Sequence, residues 1–250
     1  MMQGGNNDNY SRYKHLYLEM KGGSPSIPPP MFPVIPTTFP KHKNPTSPGS
    51  KAYIFQKAKK GHKLAIVAFG GIERRFGSIP PAEFLSFLKS LTDEADLYFF
   101  NDLDGVWYQR GIQGISKDIP STVKVLKKKL NNYDRIIFMG FSSGGYAAIL
   151  FGSILKVDKV IAFIPQTILT GGQKTDKKYH NLNKFINPNT SYILYCECNG
   201  VRYHHRIHCD NISYYPNVKV VNHSHIYLPD MKDNGTLQTL LKEELREDYL

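Results

Sequence analysis

Cysteine is scarce: three residues in a chain of 250, at positions 196, 198 and 209. An odd, clustered set does not read as a disulfide framework, so a reducing compartment is the expectation. Long apolar runs are missing too. No stretch approaches the ~18 apolar residues that a membrane-spanning helix needs. The opening residues, Met1-Met2-Gln3-Gly4-Gly5-Asn6-Asn7, lack the apolar core of a secretory signal, which makes a cytoplasmic location the expectation.

Negative charge is also in short supply. The chain carries a net charge of +11, a value that raises nucleic acid as a partner until the charge is located. Residues 1–60 hold eight lysines and Arg12 against Asp8 and Glu19, a net +7. The excess belongs mostly to the leader, where a basic run is normally a solvated tail. No specific nucleic-acid partner is expected.

What is present is a globular body. Hydrophobic residues make up 41% of the chain, enough for a substantial core at this length. Residues 1–50 are rich in Gly, Asn, Ser and Pro, and Ser24–Pro40 is too proline-dense for helix or central strand. They read as an extended or disordered leader, with a single domain over 51–250. In that domain short apolar runs predict strands at Ala52–Gln56, Leu64–Phe69, Leu97–Phe100, Ile136–Met139, Lys159–Ile164, Tyr192–Tyr195 and Val218–Val221. Helical spacing predicts helices at Pro81–Leu91, Ile119–Leu130, Ser143–Leu155 and Gly235–Leu245. The alternation implies an α/β fold, a mainly parallel sheet with helices on both faces. Ligands in such sheets bind beyond the carboxyl ends of the strands.

One such strand end carries the strongest signal. Ile136-Ile137-Phe138-Met139 runs into Gly140-Phe141-Ser142-Ser143-Gly144 and then into a helix rich in small residues. Strand, Gly-x-Ser-x-Gly and helix are the context of a nucleophile elbow. The turn strains the serine, and the two glycines remove side chains that would collide. Ser142 is therefore the candidate nucleophile, and the backbone N–H of Ser143 a candidate oxyanion donor. A second donor is expected from Gly70-Gly71-Ile72 after an earlier strand, at Gly71 or Ile72.

The base must follow the nucleophile in the chain, beyond the last strand. Asn222-His223-Ser224-His225 lies there, and His225, further past the strand, is preferred to His223. The acid usually follows the penultimate strand. Glu197 sits at that strand end and is the choice, with Asp210 or a Ser–His dyad as alternatives; Asn199 cannot stabilise an imidazolium by charge. Cys196, Cys198 and Cys209 with His204, His205 and His208 form a soft-ligand cluster. Cys-x-Cys is not the usual Cys-x-x-Cys zinc knuckle, though, and part of it lies on an apolar strand. No metal and no cofactor are expected.

With these residues in place, the chain resembles the α/β-hydrolase superfamily from Ala52 onward. More narrowly, it resembles small hydrolases found with bacterial polysaccharide and glycan biosynthesis genes. The likeness rests on Asp104-Gly105-Val106-Trp107-Tyr108-Gln109-Arg110-Gly111, on Gly140–Tyr146, on Ala162-Phe163-Ile164-Pro165-Gln166 and on His205-Arg206-Ile207-His208-Cys209. It implies Ser142 as nucleophile and His225 as base, with Trp107, Tyr108 and Gln166 lining the mouth of the site. One position departs: those hydrolases often have aspartate where this chain has His205. The function expected is a serine esterase or deacylase for a small acyl ester, an O-acetylated sugar being one candidate. An acyltransferase with the same nucleophile, or a non-catalytic protein that binds a glycan or protein partner, are the alternatives.

Overall fold

A computed structural model of the chain describes residues 51–59, 63–169, 175–197 and 203–246. The leader assigned to residues 1–50 lies outside the described residues, as does Asn199.

Among the described residues, seven strands form one sheet: β1 (Tyr53–Gln56), β2 (Leu64–Phe69), β3 (Ala95–Phe100), β4 (Arg135–Phe141), β5 (Lys159–Phe163), β6 (Ser191–Glu197) and β7 (Val218–His223). Their order is β1-β3-β2-β4-β5-β6-β7. Only β1 runs antiparallel to its neighbour; the other pairs are parallel. The helices are α1 (Pro81–Leu91), α2 (Ile119–Leu130), α3 (Ser143–Leu155), α4 (Tyr203–Asp210), α5 (Leu228–Asp233) and α6 (Thr236–Leu245).

Strand alternation divides the core in two. On β2, Ala65, Val67 and Phe69 face α2 and α3, packing with Leu126, Leu130 and Tyr146. Ile66 and Ala68 face the other way, towards Phe84 and Leu88 of α1 and Leu237 and Leu241 of α6. A central strand apolar on both faces is what a covered parallel sheet requires. Helix α2 starts at a reciprocal cap: Asp118 accepts from Ser121 N at 2.7 Å and Ser121 Oγ accepts from Asp118 N at 3.1 Å.

Several expected boundaries shift: β3, β4, β6 and β7 are each longer than expected, at Ala95–Phe100, Arg135–Phe141, Ser191–Glu197 and Val218–His223. Strand β5 ends at Phe163, because Ile164 takes a φ of 38° that no strand allows. Strand β1 begins at Tyr53 and not Ala52. Helix α6 begins at Thr236 because Gly235, with φ 80°, is its N-cap. Two helices were not anticipated. Among the described side chains of the polar α4, only Ile207, His208 and Cys209 are buried, and α5 is six residues long, too short for periodicity to show.

Helix α6 is fastened at its C-terminus by cations from two strands. Lys159 Nζ donates to Glu244 O at 2.9 Å and lies 3.6 Å from the Glu244 carboxylate, while Arg135 donates to the carbonyls of Leu245 and Arg246. Tyr195 OH donates to the same carboxylate, which, together with burial, pushes the phenol well above its usual range. Lys159 and Glu244 are both buried. Lys159→Met strands that carboxylate without its cation and is expected to cost about 3 kcal/mol in chemical denaturation. A cost below about 0.5 kcal/mol refutes the clamp.

Candidate active site

The parallel strands bring their carboxyl ends to one edge of the sheet. Phe69 pairs with Gly140, and Phe141, Phe163, Tyr195 and Val221 stand side by side across four strands. Gly70-Gly71-Ile72, Ser142, Ile164, Glu197 and His225 therefore leave the sheet on the same side.

Ser142 caps α3 with φ 55° and ψ −115°, a strained conformation for a residue with a side chain. The neighbouring glycines permit it. A Cβ at Gly140 collides with the carbonyl of Gly144, and one at Gly144 collides with the carbonyl of Phe69. Ser142 N donates to Phe163 O at 3.0 Å, and Ser142 O accepts from Tyr146 N at 3.1 Å. The first N–H groups of α3, Ser143 among them, have no acceptor within the helix and face the serine with the positive end of its dipole. The partly buried serine hydroxyl makes no cap bond to its own helix.

Among the candidate histidines, His225 is the one hydrogen-bonded to the candidate acid: its Nδ1 lies 3.2 Å from Glu197 Oε1. Glu197 is buried at the end of β6, while the His225 side chain is 59% exposed. His223 stands opposite Glu197 in register, but its ring lies against Tyr195 at 5.7 Å. His208 is buried. Asp210, the alternative acid, pairs with Arg206 one turn back on α4 at 3.5 Å. His205, which replaces the aspartate of the resembling hydrolases, sits 3.8 Å from Glu197 Oε2, so the carboxylate lies between two imidazoles. Ser142 and His225 are not hydrogen-bonded to each other in this structure.

Three expectations need correction. Gly71 N–H is not free for an oxyanion, because it donates to Arg75 O at 2.8 Å in a turn that Arg74 N closes onto Gly71 O. Ile72 N–H, the other donor expected there, has no acceptor among the described residues. Tyr108 does not line the mouth: it is fully buried, its hydroxyl lies within hydrogen-bond reach of the carbonyls of Gly70 and Phe100, and its ring meets Phe69 edge-on. The cysteines do form a disulfide, Cys196 to Cys209, with Cα atoms 6.6 Å apart. It ties the end of β6 to α4, takes two soft ligands out of the metal reading, and removes the basis for expecting a reducing compartment.

Trp107 and Gln166 do come together. The indole Nε1 donates to Gln166 Oε1 at 2.6 Å, and Gln166 N reaches Ser142 O at 3.4 Å. Sequence reasoning passed over the residue that aims the tryptophan. Buried Asp102 accepts from the backbone N–H groups of Asp104, Gly105, Val106 and Tyr108 at 2.6–3.1 Å. That cradle holds Trp107 and Tyr108 at φ 55° and 59°. Burial pushes the Asp102 carboxyl up, and the four donors pull it back. The local signal was Asn101-Asp102-Leu103-Asp104-Gly105, an aspartate just before a turn glycine. Asp102→Asn puts an NH2 group against N–H donors, and a stability loss of about 3 kcal/mol is expected by urea unfolding. An unchanged midpoint refutes the cradle.

Strand order, elbow and the Glu197–His225 pair define an α/β-hydrolase fold. The chain matches no protein-family model and no curated protein sequence. Among solved structures it is similar to the capsule O-acetyltransferase of Neisseria meningitidis serogroup A, at 17% identity and a TM-score of 0.54, covering 76% of this chain and 90% of that one. A histidine-to-alanine mutant of that enzyme in complex with CoA matches at 15% identity and 0.51 over the same shares. Thermogutta terrifontis esterase 2 matches at 13% identity and 0.49, over 77% of this chain and 90% of that one. Among the described residues no helix is long and apolar enough to cross a membrane.

Proposed function

We propose that the chain is a serine-dependent esterase for a small acyl ester, working through an acyl-enzyme on Ser142. The observation that carries this reading is the backbone of Ser142, φ 55° and ψ −115°, at the N-terminus of a fully formed helix. Strain of this kind persists only where the surroundings enforce it, and it exposes the hydroxyl at a strand end.

In the reaction Ser142 Oγ attacks the ester carbonyl while its proton passes to His225 Nε2. Glu197, on Nδ1, holds the ring in the tautomer that can accept and stabilises the imidazolium. The tetrahedral oxyanion lies against Ser143 N–H and, from the facing loop, Ile72 N–H. Collapse expels the alcohol, which takes the proton from His225. Water, deprotonated by the same histidine, then releases the acid and regenerates the serine. Trp107, braced by Gln166, forms a wall of the acyl or alcohol site.

A second reading keeps the acyl-enzyme and replaces water with a sugar hydroxyl. The likeness to a capsule O-acetyltransferase, one structure of which is in complex with CoA, favours it. The test is a series of p-nitrophenyl esters of increasing acyl length, with wild type and Ser142→Ala, then acetyl-CoA with and without an oligosaccharide acceptor. The esterase reading expects burst release of p-nitrophenol and turnover highest for short acyl groups. Turnover of acetyl-CoA only when a sugar is present supports transfer. No turnover of any ester or thioester, with no labelling of Ser142, overturns both.

A further inference from the structure

The wall of the site beside Ser142 is a segment tied at its ends by backbone bonds, Ile164 N to Tyr195 O at 2.7 Å, Leu182 N to Thr167 O at 2.9 Å and Leu169 N to His180 O at 2.7 Å. Ile164, a β-branched residue, has φ 38°, and Pro165 and Gln166 follow it past the nucleophile. Gln166 makes the two contacts that matter, to Ser142 O and to Trp107. The segment is gripped from behind by α4. Thr167 N and Ile168 N both donate to His208 Nδ1, at 3.2 and 3.3 Å. Thr167 Oγ1 donates to His208 O at 2.6 Å and accepts from Asn211 Nδ2 at 3.1 Å. Thr167, His208 and Asn211 are buried, and the disulfide at Cys209 anchors the same helix to β6.

We propose that His208 is the positioning residue that holds Gln166 against Ser142, and that it grips only as a neutral imidazole with its proton on Nε2. Two backbone N–H groups point at Nδ1, so that atom must offer a lone pair. Protonation replaces the lone pair with a third N–H aimed at the other two, inside a buried pocket where such a clash has no solvent to relieve it. Grip and imidazolium exclude each other. Acid therefore deprives Thr167 N and Ile168 N of their shared acceptor and loosens Gln166, and with it the bond from Gln166 to Trp107, while the bonds to Tyr195, His180 and Leu182 keep the segment in place. The catalytic consequence rests on the reading of Ser142 above; the grip itself does not.

Among the described residues, other ionisable groups near this pocket are few. The segment Ile164–Leu169 carries none. Within a turn on α4 are His205, Arg206 and Asp210; β6 contributes Glu197, and the 177–185 stretch contributes Lys177, Lys178, His180 and Lys184. His205 and His225 are imidazoles as well, so the informative quantity is the difference between variants.

Trp107 is the only tryptophan in the chain, which makes its emission a direct report on the bond to Gln166. The experiment follows emission of the full chain from about pH 8 to about pH 5, with far-UV circular dichroism as the fold control. Wild type is expected to change emission in one step while ellipticity holds. His208→Asn, whose Oδ1 takes the place of Nδ1 and does not titrate, keeps the neutral-pH emission throughout. His208→Phe shows the released emission already at pH 8, and its kcat/KM for p-nitrophenyl acetate falls about ten- to a hundredfold, against about twofold for His208→Asn. The same step in His208→Asn as in wild type, or no wild-type step before unfolding, overturns the proposal. Should His208→Phe fail to fold, 15N–1H long-range spectra of the wild-type imidazole decide: a proton on Nδ1 at neutral pH refutes the grip. Emission and tautomer are read without turnover, so an inert chain overturns the Ser142 reading while these two measurements still judge His208.

Discussion

Ser142→Ala is expected to abolish labelling by a fluorophosphonate probe and to lower ester turnover about a millionfold, the scale of losing a nucleophile of this type. Alanine accepts the same fold but has no hydroxyl to acylate, so a denaturation midpoint near wild type should accompany the loss. Ser143→Ala is the matched control. Its proposed contribution is a backbone N–H, which alanine retains, and its buried hydroxyl has no hydrogen-bond partner to lose. Mass spectrometry of the labelled peptide locates the adduct. An adduct on Ser143, or a Ser143→Ala variant as dead as Ser142→Ala, shows the elbow to be misplaced by one residue.

His225→Ala is expected to cost nearly as much, because nucleophile and base act as one unit and their losses do not add. The double variant should therefore be no worse than either single one. Glu197→Gln keeps the shape of the acid but no longer compensates the imidazolium, and about a ten-thousandfold loss is expected. His223→Ala should stay within a few-fold of wild type, since that ring lies against Tyr195 rather than on the acid. The direction of proton transfer is fixed by chemistry: His225 accepts the serine proton only as a neutral imidazole. Full activity of His225→Ala, or collapse of His223→Ala instead, moves the base to the other histidine.

The division between what was readable and what was not follows the range of the interactions. Periodicity is local, so seven strands and four helices were legible to within a few residues, together with the parallel sheet they imply. The elbow was legible because its requirements lie within five consecutive residues. Chain order alone pointed to His225 and Glu197, since their strands must come last in the sheet. The acid could not be settled that way: Glu197 and Asp210 are equally acidic on paper, and only packing puts one on the imidazole and the other on Arg206.

The errors lie where a residue's role depends on a partner far along the chain. Gly71 looked like a free donor because nothing in Gly-Gly-Ile announces that Arg75 O turns back to meet it. Tyr108 was expected at the mouth from the resemblance alone; an aromatic beyond a strand end can face either way, and the Asp102 cradle turns this one inward. The cysteines looked free because spacing does not reveal that a short polar helix folds Cys209 back onto β6. The sequence by itself determined the class of fold and the Gly-x-Ser-x-Gly turn at Ser142, since each follows from periodicity or steric rules over a few neighbouring residues. Tertiary structure alone decided which N–H groups are already spent, which imidazole meets the carboxylate and how Gln166 is held against the serine, because those outcomes depend on distances between segments that only the packed core sets.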